Sequence, residues 1–409
     1  MAFRWALNAQ RRAPEDRRCH VALMVENVPF SIDPRVLKQI DDLLGAGYEV
    51  SIVTMRDERN QRHSGVPGLT VLEYPAPTEG ADAWGHVREY ASSFLWAVIL
   101  VARLHRRHRI DILQVCQPPD IYFLMCLLLR STGTRVLIDQ RDLMPEVLAQ
   151  RYARPSRAML TVLGWLERQT QRSADRTVTV NGYLRDRLIA VGARPEHVSV
   201  VRNGPVLQRI ERAVDDPSLR GAHRYLVCWV GKMGKQDRVD LVLQVARDVV
   251  FSLGQRDCGF MLIGDGECLE ELRSAATDLG LDPWVTFPGW LPENRVFDYL
   301  ASADLGLDTS LQVEVTPVKA MEYMALRLPL VSFDLQETRR VAQDAGVFVT
   351  PGDTAAMAAE VVHLLSRPET RRRLGDVGRL RVSEELAWER QSQTYLAVVR
   401  RLAETGRCH

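Results

Sequence analysis

Short apolar runs alternate with helix-period segments along nearly the whole chain, and they do so in two successive series. The first series is HVALMV (20–25), YEVSIVT (48–54), IDILQV (110–115), TRVLID (134–139), RTVTV (176–180) and HVSVV (197–201). The second is RYLVCWV (224–230), CGFMLIG (258–264), WVTFPG (284–289), DLGLD (304–308), LPLVSF (328–333) and GVFVT (346–350). Amphipathic stretches such as DPRVLKQIDDLLGAG and RVDLVLQVARDVVFSLG lie between them. Strands that are apolar throughout must be covered on both faces, and the intervening helices supply the cover. The pattern therefore predicts parallel sheets wrapped by helices, an α/β class. Between the series, RNGPVLQRIERAVDDPSLRGAHR (202–224) is polar, holds two prolines and two glycines, and offers no strand. It marks the passage between two doubly wound domains. The expected division is a basic leader at 1–19, a first domain at 20–205, a second at 206–385 and a helical tail at 386–409.

Composition narrows the class further. Hydrophobic residues make up 46% and charged residues 26%, as in soluble globular proteins. A formal net charge of +1 gives no global field for nucleic acid. The leader has no continuous apolar core, so it does not read as a secretory signal. FLWAVILVARL (94–104) and IYFLMCLLL (121–129) are too short to span a bilayer, which needs roughly twenty residues, and read as buried helices. The seven cysteines show no paired or metal-type spacing, which fits a reducing cytosol. His105 and His108 in RLHRRHRI read as a solvated basic helix end, His20 as structural, and Trp84, Trp96 and Trp165 as core or groove residues. Trp84 also lies in TEGADAWGH, a loop able to cover an acceptor.

The stretch with the most chemistry is SLQVEVTPVKAMEYMALRLPLVSFD (310–334). Thr316-Pro317 reads as a helix start, threonine as N-cap and proline at the first helical position, with the helix running to about Arg327. The first-turn amides near Val318 and Lys319 then form an anion site, and the lysine adds charge. Glu314 falls just before that terminus and Glu322 about a turn further in. Glutamate usually faces solvent. Here Ala320, Met321, Tyr323, Met324, Ala325 and Leu326 leave little polar face, and a glutamate set among them needs a partner.

The spacing of Glu314 and Glu322, followed by YMA, a proline and LVSFD, resembles the donor site of glycosyltransferase family 4. VGKMGKQDRVDLVLQVA, LIGDGECLEELRSAATDLGL and WVTFPGWLPENRVFDYLASADLGLDTS resemble that family's second domain. IDILQVCQPPD, DQRDLMPEV and SVVRNGP resemble its bacterial surface-polysaccharide branch. The resemblance covers about residues 20 to 400. It implies the GT-B fold, two Rossmann-like domains facing across a cleft, with the last helix crossing back to the first. It implies retaining, metal-independent transfer of a sugar from a nucleotide-sugar donor, with no cofactor. The acceptor is expected to be a glycan or lipid-linked saccharide, and the enzyme cytoplasmic, with peripheral contact on the inner face of a membrane.

By position, the resemblance puts Glu322 on the donor ribose. Glu314 and the amides around Thr316, Pro317 and Val318 would hold the transferred sugar and distal phosphate. Lys232 would meet the diphosphate, beside Gly231 and the Gly264 turn. The turn Phe287–Leu291, with Gly289, Trp290 and Leu291, would grip the base. Asp33, Arg35, Gln117, Arg141, Asp142 and Glu146 are the acceptor-side candidates. The sequence departs from the family at three places. Asp237 stands where a second basic residue is usual, with Lys235 or Arg238 as possible substitutes. ENVPFSIDPRV replaces the glycine-rich loop after the first strand. Gln117 and Arg141 replace a common Asn and His. Two other readings follow: transfer to a small secondary metabolite, and a catalytically silent nucleotide-binding subunit. A dinucleotide oxidoreductase is disfavoured because GKMGKQ lacks the third glycine of the dinucleotide fingerprint.

Overall fold

A computed structural model describes residues 18–406 apart from 27, 64, 77–82 and 145–155; the side chains of 83–90 are also outside the description. Glu146, the side chain of Trp84 and the leader up to residue 17 therefore fall outside it. The chain forms two compact units, one of residues up to Val201 together with Ser392 onward, the other Arg202–Gln391.

The first unit is built from β1 (His20–Met24), α1 (Pro34–Gly45), β2 (Glu49–Met55), β3 (Leu69–Tyr74), α2 (Ala83–Arg107), β4 (Ile112–Gln117), α3 (Phe123–Ser131), β5 (Arg135–Gln140), α4 (Arg157–Ser173), β6 (Arg176–Thr179), α5 (Gly182–Ala190) and β7 (Val198–Val200). Its sheet is parallel, in the order β3-β2-β1-β4-β5-β6-β7. Right-handed crossovers put α1 on one face and α2, α3 and α4 on the other, because the strand order reverses after β3. Ala97, Val101 and Leu104 of α2 and Met125, Cys126 and Leu129 of α3 share one core with Met24, Val115 and Ile138 of the strands.

The second unit holds β8 (Tyr225–Val230), α6 (Val239–Arg247), β9 (Cys258–Ile263), α7 (Leu269–Asp278), β10 (Val285–Gly289), α8 (Glu293–Ser302), β11 (Leu305–Asp308), α9 (Val318–Ala325), β12 (Leu330–Phe333), α10 (Gln336–Ala342), β13 (Gly346–Val349), α11 (Thr354–Leu365) and α12 (Pro368–Arg381). Its parallel sheet runs β10-β9-β8-β11-β12-β13. One core lies under α6, α7 and α11, the other under α8, α9 and α10. The last helix, α13 (Trp388–Thr405), begins in the second unit; its Tyr395 hydroxyl donates to Gln114 of β4 at 2.6 Å.

All twelve expected runs are strands, and β3 is the one the sequence reading lacked. It is an edge strand, buried only at Tyr74, so its apolar signal is diluted. Three further expectations are corrected. His105 is buried, accepting from the Ile110 amide at 3.2 Å, so only His108 is a solvated helix-end histidine. Of the core-or-groove reading for Trp96 and Trp165, the core half is overturned, since both are exposed. Cys19 is disulfide-bonded, while Cys116, Cys126, Cys228, Cys258 and Cys268 are buried free thiols. His20 is structural as expected, its ring shared between Ser51 Oγ at 2.8 Å and the Arg109 carbonyl at 3.1 Å.

Candidate functional site

Parallel strands deliver all their following loops to one edge of a sheet, and ligands of such sheets bind there. At that edge of the second unit, three loops converge: 231–238 after β8, 264–268 after β9 and 309–317 after β11. The first two are locked backbone to backbone. The Met233 amide donates to the Asp265 carbonyl at 2.9 Å and the Cys268 amide to the Met233 carbonyl at 3.0 Å. A Cβ at Gly264, whose φ is +146°, would sit 1.8 Å from the Gly231 carbonyl oxygen, so only glycine allows this approach.

Helix α9 is held by Tyr323. Its ring lies against Gly306, where a Cβ would come within 2.4 Å of it. Its hydroxyl accepts from the Val230 amide at 3.0 Å and donates to the Leu307 carbonyl at 3.2 Å. One buried phenol thus ties α9 to the carboxyl ends of β8 and β11. Ala320, Met321, Tyr323, Met324 and Ala325 are all buried. Glu322 is half-buried and lines a cavity of about 250 Å³. An otherwise apolar helix therefore carries this glutamate on the side that meets the cavity.

The start of α9 differs from expectation. Pro317, not Thr316, occupies the N-cap position, and no side chain caps the helix. The Val318 amide instead donates to the Thr316 carbonyl at 2.8 Å. Pro317 is not helical, with φ −79° and ψ 71°, which moves the helix start one residue on. The uncapped first turn still presents amides and the positive end of the dipole. The helix ends at Ala325, because Arg327 turns left-handed at φ 57°.

The cavity is lined by Gly231, Lys232, Asp237, Asp308, Thr316, Pro317, Val318, Lys319 and Glu322, with Ser310, Gln312 and Val315 beside them. Lys319 is the fixed cation. Its Nζ lies 3.6 Å from Asp308 Oδ1 and 4.4 Å from the centroid of the fully buried Trp229 ring, and its side chain is only 16% exposed. Lys232 is 66% exposed and 4.0 Å from Glu267. Asp237 accepts from the Gly234 amide at 3.3 Å. Burial pushes its carboxyl above the ordinary range, against the pull of Lys319 and Lys232. Arg238 is turned away, its guanidinium bidentate on Asp240 at 2.9 Å.

Eight of the residues singled out from sequence, Asp237 among them, thus share one cavity. Glu314 sits in the turn just before it, half-exposed. Gly289 adjoins through its carbonyl, which accepts from Gly264 at 3.1 Å. Trp290 is 73% exposed, with Leu291 following. Sequence reasoning gave no role to Trp229 and Asp308, although each lies within a strand run it had marked, RYLVCWV and DLGLD.

In the first unit the acceptor-side candidates form a paired network. Asp33 caps α1, accepting from the Arg35 and Val36 amides, and pairs with Arg141. Arg35 is buried, donating to both Asp139 oxygens and to the Val201 carbonyl at 2.7 Å. Arg141 also meets Asp139 at 3.2 Å and Cys116 Sγ at 3.2 Å. Burial pushes the Asp139 carboxyl up, but Arg35 and Arg141 outweigh it and hold it at about 2. Arg35 and Arg141 are thus ion-paired with Asp139, and Arg141 with Asp33 as well. Gln117 is buried in a row with Gln140 and Thr179 across β4, β5 and β6. Asp142 is exposed, its carbonyl accepting from Gln140 at 2.8 Å. Asp120, unmarked from sequence, is buried. Burial, then the charge of Glu167, raises its carboxyl to about 7.

Two parallel Rossmann-like units, with a lysine-bearing cavity at the carboxyl edge of the second, are the architecture of the GT-B class of glycosyltransferases. A model of the glycosyl transferases group 1 matches residues 224–367, and a glycosyl transferase 4-like domain matches 32–204. The chain belongs to the family-4 type of glycosyltransferases. It is 23% identical over 359 residues to alpha-D-kanosaminyltransferase of Streptomyces kanamyceticus, covering 82% of this chain and 91% of that protein. Its fold is similar to sucrose-phosphate synthase of Thermosynechococcus elongatus, with a TM-score of 0.76, 16% identity, and coverage of 95% of this chain and 100% of that one. It is also similar to HepE of Anabaena in complex with UDP and glucose, with a TM-score of 0.72, 14% identity, and coverage of 94% and 100%.

Proposed function

We propose that this glycosyltransferase moves a sugar from a nucleoside-diphosphate donor to a glycan or lipid-linked saccharide, with retention and without a metal ion. The observation that carries the reading is the cavity under α9. It combines an uncapped helix start, two lysines and a half-buried carboxylate within about 250 Å³. The helix start and lysines suit the diphosphate; the Glu322 carboxylate suits two ribose hydroxyls. Structures of HepE with UDP and with UDP-glucose support a uridine donor as the first to try.

In the proposed reaction the bond from the sugar's anomeric carbon to the phosphate oxygen breaks, and its electron pair leaves on the diphosphate. The acceptor hydroxyl attacks from the same face, and its proton passes to the departing phosphate oxygen. Lys319, Lys232 and the α9 terminus stabilise the negative charge that develops there. Glu314, in the turn before α9, is proposed to meet the transferred sugar. Trp290 and Leu291 are proposed to border the base.

The kanosaminyltransferase likeness favours a second reading, in which the acceptor is a small metabolite. A panel of UDP-, GDP- and dTDP-sugars screened by thermal shift identifies the donor, since a ligand of the folded state raises its melting temperature. Transfer from that donor is then measured with EDTA present. Binding with neither transfer nor hydrolysis would make this a silent nucleotide-binding protein. Activity abolished by EDTA and restored by magnesium would refute the metal-free site.

A further inference from the structure

Beneath the carboxyl edge of the first-unit sheet lies a buried polar cluster that the donor cavity does not use. Gln117 ends β4, Gln140 ends β5 and Thr179 ends β6, and the three stand in register as neighbours. Registered residues of parallel strands share a face. That face is the one covered by α4, because Gln171 of α4 donates to Gln140 at 3.2 Å. Glu167 and Thr170, three apart on α4, lie on one side of that helix and beside Asp120, which follows β4. Gln117, Asp120, Gln140, Glu167, Thr170 and Thr179 are each no more than 1% exposed.

Four of these side chains are unsatisfied. Both amide atoms of Gln117, both carboxylate oxygens of Asp120 and the hydroxyls of Thr170 and Thr179 are buried without a hydrogen-bond partner among the described residues. Native interiors hold few such atoms, so a group of them drawn from β4, the loop after it, α4 and β6 asks for an occupant. Ordered water would satisfy the neutral groups. It does not balance a buried charge, and the groups acting on Asp120 include Glu167 but no lysine, arginine or histidine. The ligand set is all oxygen: the carboxylate, two hydroxyls and the Gln117 amide oxygen. Such a set suits a hard cation. Among the described residues no group of three or more His, Cys, Asp or Glu is placed to hold a metal ion. One carboxylate with neutral oxygens around it matches a single positive charge.

We propose that this cluster binds one alkali-metal cation, sodium or potassium, through Asp120, Gln117, Thr170 and Thr179. The ion joins α4 to the ends of β4 and β6 and braces that edge of the sheet. It takes no part in sugar transfer. The site belongs to the first unit and the α9 cavity to the second, so the metal-free reading of the donor site is untouched.

The test uses the full chain at pH 8 in sodium, potassium or tetramethylammonium chloride at equal ionic strength. An ion that binds only the folded state raises the melting temperature with its concentration. The expected rise in sodium or potassium is about 5–10 °C at roughly a hundred times the dissociation constant, with none in tetramethylammonium. Asp120→Asn keeps the shape, removes the charge and should abolish the rise. Thr179→Val replaces an unsatisfied hydroxyl by a methyl, so it should melt no lower than the parent in tetramethylammonium. It should nonetheless bind the alkali ion roughly tenfold more weakly or worse. Circular dichroism checks that both variants fold, and Thr179→Val decides the matter if Asp120→Asn does not. Equal melting in all three salts means ordered water only and overturns the proposal, as does a rise that survives the substitutions. A rise with calcium or magnesium but with neither alkali ion overturns it as well. No donor enters these measurements, so failure here leaves the reading of the α9 cavity standing.

Discussion

Lys319 is the residue whose replacement separates folding from chemistry most cleanly. Its ammonium lies 3.6 Å from Asp308, and the two side chains are 16% and 4% exposed. At an effective dielectric of about 20 the gross attraction at that distance is about 4–5 kcal/mol. The ring of Trp229 beneath adds about 0.5–2 kcal/mol. Desolvation of both charges consumes much of this, but cutting the pair still strands a buried carboxylate, at a cost of about 3 kcal/mol. Lys319→Met keeps the stem's packing and should lower unfolding stability by about that amount in urea. Adding Asp308→Asn removes the stranded charge and should restore most of it.

The double variant is then the informative protein. It folds, yet it lacks the fixed cation facing the proposed diphosphate. Its kcat/KM for donor turnover should fall by about 100- to 1,000-fold, the scale for losing one preorganised electrostatic donor. Calorimetry with the nucleoside diphosphate should show weakened binding. If the double variant is as stable as the parent and turns over donor within about threefold of it, Lys319 serves the fold alone and the electrostatic assignment is wrong.

Glu322→Gln should weaken donor binding by about 1.5–3 kcal/mol in calorimetry, the range for hydrogen bonds to a charged group; unchanged affinity would remove Glu322 from the ribose. Lys232→Ala should cut turnover by roughly a hundredfold with unfolding stability unchanged, because Lys232 is 66% exposed and 4.0 Å from Glu267; near-normal turnover would displace it from the diphosphate. Asp120, raised to about 7 from an ordinary 3.8, favours the folded state when protonated. Its contribution is complete below about pH 4 and is lost as pH rises towards 7, so Asp120→Asn should flatten the stability profile across that window; a profile unchanged by the substitution would refute the buried proton.

The fold was legible because parallel strands buried on both faces announce themselves as apolar runs, and twelve of them were read this way. β3 escaped because only Tyr74 of its six residues is buried, so its apolar signal is weak. The cavity was legible because a carboxylate inside AMEYMAL has little polar face to sit on, and Glu322 does line it. The role of Tyr323 was not, since nothing local shows that a phenol will bridge β8 and β11 across Gly306. The ion pairs of Asp33, Arg35 and Arg141 were not legible, because pairing over a hundred residues cannot be seen in sequence. Arg35 meets Asp139 only after the sheet brings α1 beside β5. The apolar runs of α2 and α3 were read as buried helices, yet Leu95, Leu124 and Leu128 are exposed, because an apolar run does not say how much of its circumference a partner covers.

Asp237 is the remaining departure, and the cavity gives it a consequence. The carboxylate lies with Lys319 and Lys232 on the same wall, and neither neighbour supplies a replacement cation: Arg238 is spent on Asp240, and Lys235 does not line the cavity. Two lysines therefore face three carboxylates, Asp237, Asp308 and Glu322. Asp308 is matched by Lys319, and Glu322 is proposed to be occupied by ribose. Asp237 is left as an acid beside the proposed diphosphate, and like charges so placed repel. Asp237→Asn keeps the shape and removes that repulsion. It should tighten nucleoside-diphosphate binding by a few-fold, about 0.5–1 kcal/mol. Calorimetry at low ionic strength would read this most clearly, because screening shrinks the difference in salt. Weaker binding by the Asn variant would mean that Asp237 holds the donor through its charge, and the count of favourable groups in this cavity would have to be redrawn around it.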